Sequence, residues 1–288
     1  MIRSTQIRRA SYLVLLSLLS SGIFSQQQPP VVSLKELTRP EIHVLFIGNS
    51  FTYFNNMPHL VEAISESVDG PRISADMVAI GGARLEDLWK QGSALVAIRK
   101  RRWDFVVMNE QSALGGGKVN GEKRIGDPAN FFKYAEMFDT EIRKAGGKTV
   151  IMMTWKDKND PDRIQAELNN AFFEFEKKMA GAVILCPVST AWTSTTRTAP
   201  EINLYFDDGH HPSHEGSYLV ACTVYAVLAS HSPIGATAKV EGAQVEEEDG
   251  TVHPDKIKVL VNISPRIANK LQEMALKAAP EIREFSIQ

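Results

Sequence analysis

Three side-chain types that together perform acyl transfer sit at opposite ends of this chain. Ser50 lies in Gly48-Asn49-Ser50-Phe51-Thr52, directly after an apolar run, and Asp208 and His211 lie in Asp208-Gly209-His210-His211-Pro212, ahead of a helical segment. A serine hydroxyl is a weak nucleophile at neutral pH unless a base takes its proton as it attacks. An imidazole is the usual base, and it works best when a carboxylate fixes its tautomer and stabilises the imidazolium. The chemistry these residues imply is hydrolysis through an acyl-serine. Each motif also has an ordinary alternative when taken alone: Gly-Asn-Ser is common turn chemistry, and Asp-Gly-His-His-Pro-Ser fits a turn followed by a Ser213 helix cap.

The elements that must position these residues alternate between strand and helix. Residues 42–47 form a continuous apolar run, as expected for a strand buried on both faces. Residues 72–80, 103–109, 149–154 and 182–188 predict further strands, and 56–68, 85–100, 130–145, 162–179 and 213–229 predict helices. A Gly-rich polar loop is expected over 115–127 and a second loop over 189–206. Beyond the last of these helices, 239–254 is polar and acidic, and 257–263 and 268–279 predict one late strand and one amphipathic helix. Because parallel crossovers are right-handed, this alternation predicts a doubly wound α/β sheet with its site at the C-terminal strand ends.

The two motifs, in this order, resemble the SGNH or GDSL-like esterases. That family opens with a Gly-Asp-Ser turn after strand one and closes with Asp-x-x-His, usually followed by Pro; the matching stretches here are Gly48 to Ser50 and Asp208 to His211-Pro212. The likeness spans roughly residues 42–230. It implies a flavodoxin-like three-layer sandwich with a mostly parallel central sheet. It also implies Ser50 as nucleophile and first oxyanion donor through its N–H, His211 as base and Asp208 as its orienting acid. Gly82, in Ile80-Gly81-Gly82-Ala83-Arg84, matches the glycine whose N–H is the second donor. The third block departs from the family: Met108-Asn109-Glu110-Gln111-Ser112 replaces Gly-x-Asn-Asp, and either Asn109 or Gln111, with Gln111 favoured, is expected to supply the amide. Asn49 stands where the family has Asp. No Gly-x-Ser-x-Gly elbow occurs, which separates the chain from the α/β-hydrolases.

His210 and His211 are adjacent, and the spacing to Asp208 together with Pro212 favours His211 as the base. A zinc site drawn from Asp207, Asp208, His210, His211 and His214 is the competing use of the same residues. Adjacent residues do not readily chelate one ion, so no metal and no cofactor is assigned. Tyr53, Trp155 and Trp192 fall in segments expected near the crevice and are the candidate substrate contacts, whereas Trp89 and Trp103 are assigned to the core.

Residues 1–25 carry Arg3, Arg8 and Arg9, then a short apolar core and small residues, the pattern of a secretory signal peptide. An extended leader over 26–41 and a single domain over 42–288, with 232–288 as a C-terminal extension, are expected to follow. The 288 residues are 43% hydrophobic and 23% charged with a net charge of -2, which is ordinary for a globular protein and gives no footprint for nucleic acid. Stable membrane insertion after signal cleavage is not expected, and the oligomeric state is left open. Cys186 and Cys222 both sit in apolar contexts. The expectation is an exported serine esterase acting on short acyl, above all acetyl, esters of a carbohydrate. A lipase or thioesterase of the same mechanism and a weakly active glycan-binding protein are the alternatives.

Overall fold

The structure is a computed structural model and describes residues 39–246 and 250–279. The segment expected to be a signal peptide, and most of the expected leader, lie outside the described residues.

Five parallel strands form the central sheet: β1 (Glu41–Gly48), β2 (Arg72–Ala79), β3 (Phe105–Met108), β6 (Lys148–Met152) and β7 (Val183–Cys186), in the order β2-β1-β3-β6-β7. Counting only these strands, the order is 2-1-3-4-5, the flavodoxin-like winding, whose switch point lies between β1 and β3. Alternate β1 residues face opposite layers. Val44 and Phe46 join one apolar core and Leu45 and Ile47 the other, which is why the strand reads as an unbroken hydrophobic run.

The short α1 (Ser50–Tyr53) leads through a 3-10 turn into α2 (Met57–Ser67). That helix, α7 (Val188–Thr198), α8 (His214–Ala229) and α9 (Pro265–Ala278) cover the first face. The helices α3 (Leu85–Gln91), α4 (Ser93–Lys100), α5 (Pro128–Lys144) and α6 (Asp162–Lys178) cover the second. The fold is therefore the three-layer α/β sandwich with a parallel sheet that the sequence predicts. Among the described residues no helix is long and apolar enough to cross a membrane.

Four local outcomes differ from expectation. The helix expected over 85–100 is two helices, because Gly92 takes a left-handed φ of 87° and ends the first one. The Gly-rich loop holds a small hairpin, β4 (Lys118–Val119) with β5 (Glu122–Lys123). The expected loop over 189–206 contains α7, a Ser- and Thr-rich segment of poor intrinsic propensity; it is helical because Val188, Ala191, Trp192 and Thr195 are buried against the core. The polar stretch after residue 239 is strand β8 (Lys239–Val245), paired antiparallel with β9 (Val252–Asn262). Two register shifts in that ribbon break the alternation that marks a strand in sequence. The ribbon lies against the segment after Ser50: Tyr53, Phe54 and Val245 form a small cluster, and Asn56 Nδ2 donates to the Ala243 carbonyl at 3.1 Å.

The carboxyl ends of the first three strands are level. Ile80 N–H donates to the Gly48 carbonyl at 3.1 Å, and Asn109 N–H to the Ile47 carbonyl at 3.2 Å. A Cβ at Gly48 would collide with Asn109 Oδ1 and Thr52 Oγ1, so glycine is required here by close approach. Gly48→Ala is expected to destabilise the protein by at least about 1–3 kcal/mol, the usual range for overpacking. Urea unfolding of the variant beside the parent measures it, and equal midpoints would show that the crowding is relieved at no cost.

Candidate active site

Ser50 is the first residue of α1, at the switch point of the sheet. Asn49 is extended (φ -134°) and caps the helix, its Oδ1 accepting from Phe51 N–H at 3.1 Å. The same oxygen accepts from Asn109 Nδ2 at 2.9 Å, while Asn49 Nδ2 donates to the Ala83 carbonyl at 3.0 Å. Asn109 Oδ1 in turn accepts from Thr52 Oγ1. The departure from Gly-Asp-Ser thus has a physical reason, since an ionised aspartate has no proton to give the Ala83 carbonyl.

This network revises the expectation for Asn109. Its side chain is buried and occupied at both ends, by Thr52 on one side and by Asn49 and the Glu110 carbonyl on the other. It holds the serine turn and has no N–H free for a substrate. Gln111 is half-buried; its Oε1 accepts from Ala113 N–H at 3.0 Å and Gly115 N–H at 2.9 Å. Its Nε2 donates to Ser112 Oγ at 3.1 Å, which leaves its second N–H. Gly82 is exposed at φ 66° in the turn after β2. Among the described residues neither the Ser50 N–H nor the Gly82 N–H has an acceptor. Both donors are therefore open, and the Asn49 bond to the Ala83 carbonyl ties the Gly82 turn to the serine segment.

His211 Nδ1 lies 2.5 Å from Asp208 Oδ2, which presents the other ring nitrogen as the acceptor. Asp208 also caps its own loop, its Oδ1 accepting from His210 N–H at 2.9 Å and His211 N–H at 3.0 Å. Burial alone would raise the Asp208 carboxyl, but these three hydrogen bonds outweigh it and hold it below the ordinary carboxylate range. The His211 ring stacks on Phe54 at 4.0 Å between centroids with the planes 4° apart, and meets the edge of Phe51 at 6.1 Å. Asn55 Nδ2 donates to Ser217 Oγ at 2.9 Å and reaches the Pro212 and Ser213 carbonyls at 3.4 and 3.3 Å. Residues on both sides thus bind the Ser50 segment to the His211 loop. Ser50 and His211 themselves share no hydrogen bond in this structure, a looseness common in substrate-free sites.

A second imidazole–carboxylate pair, which sequence reasoning missed, lies beside the first. His210 Nδ1 is 2.5 Å from Asp157 Oδ1, and Lys123 Nζ of the β4–β5 hairpin is 2.9 Å from Asp157 Oδ2. Partial burial would push Asp157 up, but His210 and Lys123 hold it down to about 2. Since the two histidines turn to different carboxylates, the five residues weighed as a zinc set do not converge. Among the described residues no group of three potential ligands is assembled.

The aromatic assignments need correction. Tyr53, Trp155 and Trp192 are buried, Trp155 wholly so at 0% exposure. Phe51, Trp155 and Trp192 form a parallel stack with 4.1 Å between successive centroids, a core feature beneath the site. Trp155 Nε1 donates to the His210 carbonyl at 3.2 Å and so supports the loop from below. An exposed ring next to the His211 loop is Phe206, 44% accessible, packed edge-on against Phe54 at 6.1 Å, with its N–H donating to the His211 carbonyl at 2.8 Å. Cys186 and Cys222 are both buried free thiols, pushed well above the ordinary range by that burial.

Glu110 is the other residue that sequence reasoning passed over. It is 1% exposed, immediately after β3 and Asn109, and burial pushes its carboxyl up to about 7 even though the Gln111 and Leu85 N–H groups oppose the shift. A folded-state value of about 7 against an ordinary 4.5 makes Glu110 contribute stability below pH 4.5 that is lost as the pH rises through 7. Relative to Glu110→Gln, the parent is expected to lose roughly 2–3 kcal/mol of unfolding free energy between pH 5 and pH 8. Urea unfolding at several pH values checks this, and parallel pH curves for the two proteins would refute it.

No family profile and no curated protein matches this sequence. Solved structures do. The chain is similar to a candidate SGNH hydrolase from Slackia heliotrinireducens, with 24% identity over 64% of this chain and 97% of that one and a TM-score of 0.51. It is also similar to a DUF4886 family protein from Bacteroides uniformis, at 16% identity over 83% of this chain and 94% of that one, with a TM-score of 0.58. A variant of an acetyl-xylooligosaccharide esterase from Geobacillus stearothermophilus matches at 13% identity over 69% and 99% of the two chains, with a TM-score of 0.52. Identities this low carry the architecture and nothing finer: the chain has the α/β sandwich fold of the SGNH-type hydrolases.

Proposed function

We propose that the protein is a serine esterase that cleaves short acyl esters, acetyl above all, from a carbohydrate through an acyl-serine intermediate. The observation that carries this reading is the His211–Asp208 pair, 2.5 Å apart, with the His211 ring stacked on Phe54 just after the helix that Ser50 opens. Ser50 Oγ attacks the ester carbonyl as His211 Nε2 takes its proton, and Asp208 stabilises the imidazolium. The oxygen that becomes negative is met by the open N–H groups of Ser50 and Gly82 and by Gln111 Nε2. The proton on His211 then passes to the departing sugar oxygen, and a water activated by the same ring releases the acid. The reading needs no cofactor. Export follows if residues 1–25 act as the signal that their pattern suggests.

Ser50→Ala is expected to abolish ester hydrolysis and labelling by a fluorophosphonate while leaving the melting temperature within a few degrees of the parent. His211→Ala should lose roughly 10³-fold or more in kcat, and His210→Ala far less, because only His211 is paired with Asp208. The opposite order of the two histidine variants would hand the base to the His210–Asp157 pair.

A carbohydrate ester is favoured over a long-chain lipid because the accessible ring beside His211, Phe206, is a single flat face suited to a sugar. The aromatics that might have lined an acyl tunnel are packed into the core. Phe206→Ala is expected to raise KM for acetylated xylo-oligosaccharides about 10-fold, leaving p-nitrophenyl acetate within about 2-fold, since only uniform binding is removed. Across acetyl, butyryl and octanoyl esters kcat/KM should fall. A steady rise, near the roughly 0.8 kcal/mol that each buried methylene gives, would favour a lipase or thioesterase instead.

A further inference from the structure

A carboxylate buried to 1% exposure costs several kcal/mol of desolvation unless its oxygens are well used, and the ester chemistry above assigns Glu110 no role. Its oxygens point to two different elements. Oε1 accepts from Gln111 N–H at 2.8 Å, and Oε2 accepts from Leu85 N–H at 3.3 Å. Leu85 is the first residue of α3, whose leading N–H groups have no partner within the helix and favour a negative charge. That helix has a cap of its own, Asp87 Oδ2 accepting from Arg84 N–H at 3.0 Å, so the Glu110 bond comes from a second, separate element.

The two segments that Glu110 joins are those that carry oxyanion donors. Gly82 lies three residues before Leu85, in a turn otherwise held to the serine segment by the Asn49 bond to the Ala83 carbonyl at 3.0 Å. Gln111 adjoins Glu110 and carries the side-chain amide. An oxyanion site works only when its donors are fixed before charge develops, and a displacement of about 1 Å costs about 10²-fold in rate. Gly81 and Gly82 in this turn are exposed, and among the described residues Glu110 supplies the side-chain hydrogen bond from the end of β3 to Leu85 just beyond it, while Ala83 packs in the core that Met108 also joins.

We propose that Glu110 is a positioning residue of the oxyanion site: one carboxylate oxygen holds the Leu85 end of the Gly82 turn and the other holds the Gln111 backbone, which sets the separation of the two donors. This rests on the esterase reading. Neighbouring charges are Arg84, whose field favours the ionised form, and Asp87, whose field opposes it. Glutamine in its place keeps one acceptor and turns an N–H toward a donor, so one of the two bonds is lost.

The test compares the full chain with Glu110→Gln and Glu110→Asp, normalising rates to the serine fraction titrated by fluorophosphonate. For Glu110→Gln, kcat on p-nitrophenyl acetate is expected to fall about 10- to 100-fold with KM within about 3-fold. Inhibition by ethylboronic acid, whose tetrahedral serine adduct places an oxygen among the donors, should weaken by the same factor. A structural defect alone would lower the titrated fraction and leave the inhibition constant unchanged. A kcat within 2-fold of the parent, or a fall in kcat without weaker boronate binding, overturns the proposal. If Glu110→Gln does not fold, Glu110→Asp, which keeps the charge but is one methylene shorter, carries the same comparison. Should the parent hydrolyse no ester at all, the esterase reading falls. Amide exchange then decides the bridge, since faster exchange at Leu85 and Gln111 in the folded variant supports it and unchanged exchange refutes it.

Discussion

The interaction on which the site depends is the side-chain bond between Asn49 and Asn109 at the carboxyl ends of β1 and β3. These strands are neighbours across the switch point of the sheet, where the chain diverges to opposite faces and leaves a crevice. A buried amide must satisfy both its donor and its acceptor sides, and here the two asparagines do so for each other and for Phe51 N–H, Thr52 Oγ1 and the Ala83 carbonyl. The consequence reaches three of the strand ends. Gly48 has no side chain because Asn109 fills the space, Ser50 begins a helix because Asn49 caps it, and the turn after β2 is drawn in by its carbonyl.

The loop of His210 and His211 is held by a different kind of force. Beneath it runs a buried stack of Phe51, Trp155 and Trp192, three large rings at van der Waals spacing, which gives the loop a packed floor and a hydrogen bond to its backbone at His210. Above that floor the two histidines diverge. His211 turns to Asp208 in its own loop and stacks on Phe54, whereas His210 turns to Asp157 in the loop after β6 and, through it, to Lys123 on the hairpin. Both imidazoles thus pack on the segment after Ser50, His211 on Phe54 and His210 at 4.9 Å from Phe51, while His210 also ties three loops together. Polar networks at the rim fix where charge resides, and apolar packing below fixes where the backbone lies.

The two donors without acceptors, at Ser50 and Gly82, stand out against this background. The asparagine amides around them are engaged on both sides, so these two N–H groups are what the serine turn and the turn after β2 leave unpaired. Glu110 is the counterpart on the buried side. Burial disfavours its charge, and its two oxygens accept from Gln111 N–H after β3 and from Leu85 N–H after β2.

The sequence by itself determined the alternation of strands and helices, the serine turn, the Asp208-x-x-His211 spacing that becomes a 2.5 Å pair, and the position of Gly82 in its turn. These are short-range matters: periodicity, φ preference and i to i+3 geometry are written within a few residues. It did not reveal that Asn109 is spent on Asn49, that Glu110 reaches Leu85, or that His210 finds Asp157, because those partners are 60, 25 and 53 residues apart. Nor did it distinguish a tryptophan at a loop from one in the core, since burial of Trp155 and Trp192 depends on Phe51 arriving from another strand end. Side-chain type told what each residue is able to do. Only the tertiary structure decided which neighbour claims each hydrogen bond, because a donor or acceptor once used inside the protein is withdrawn from the substrate.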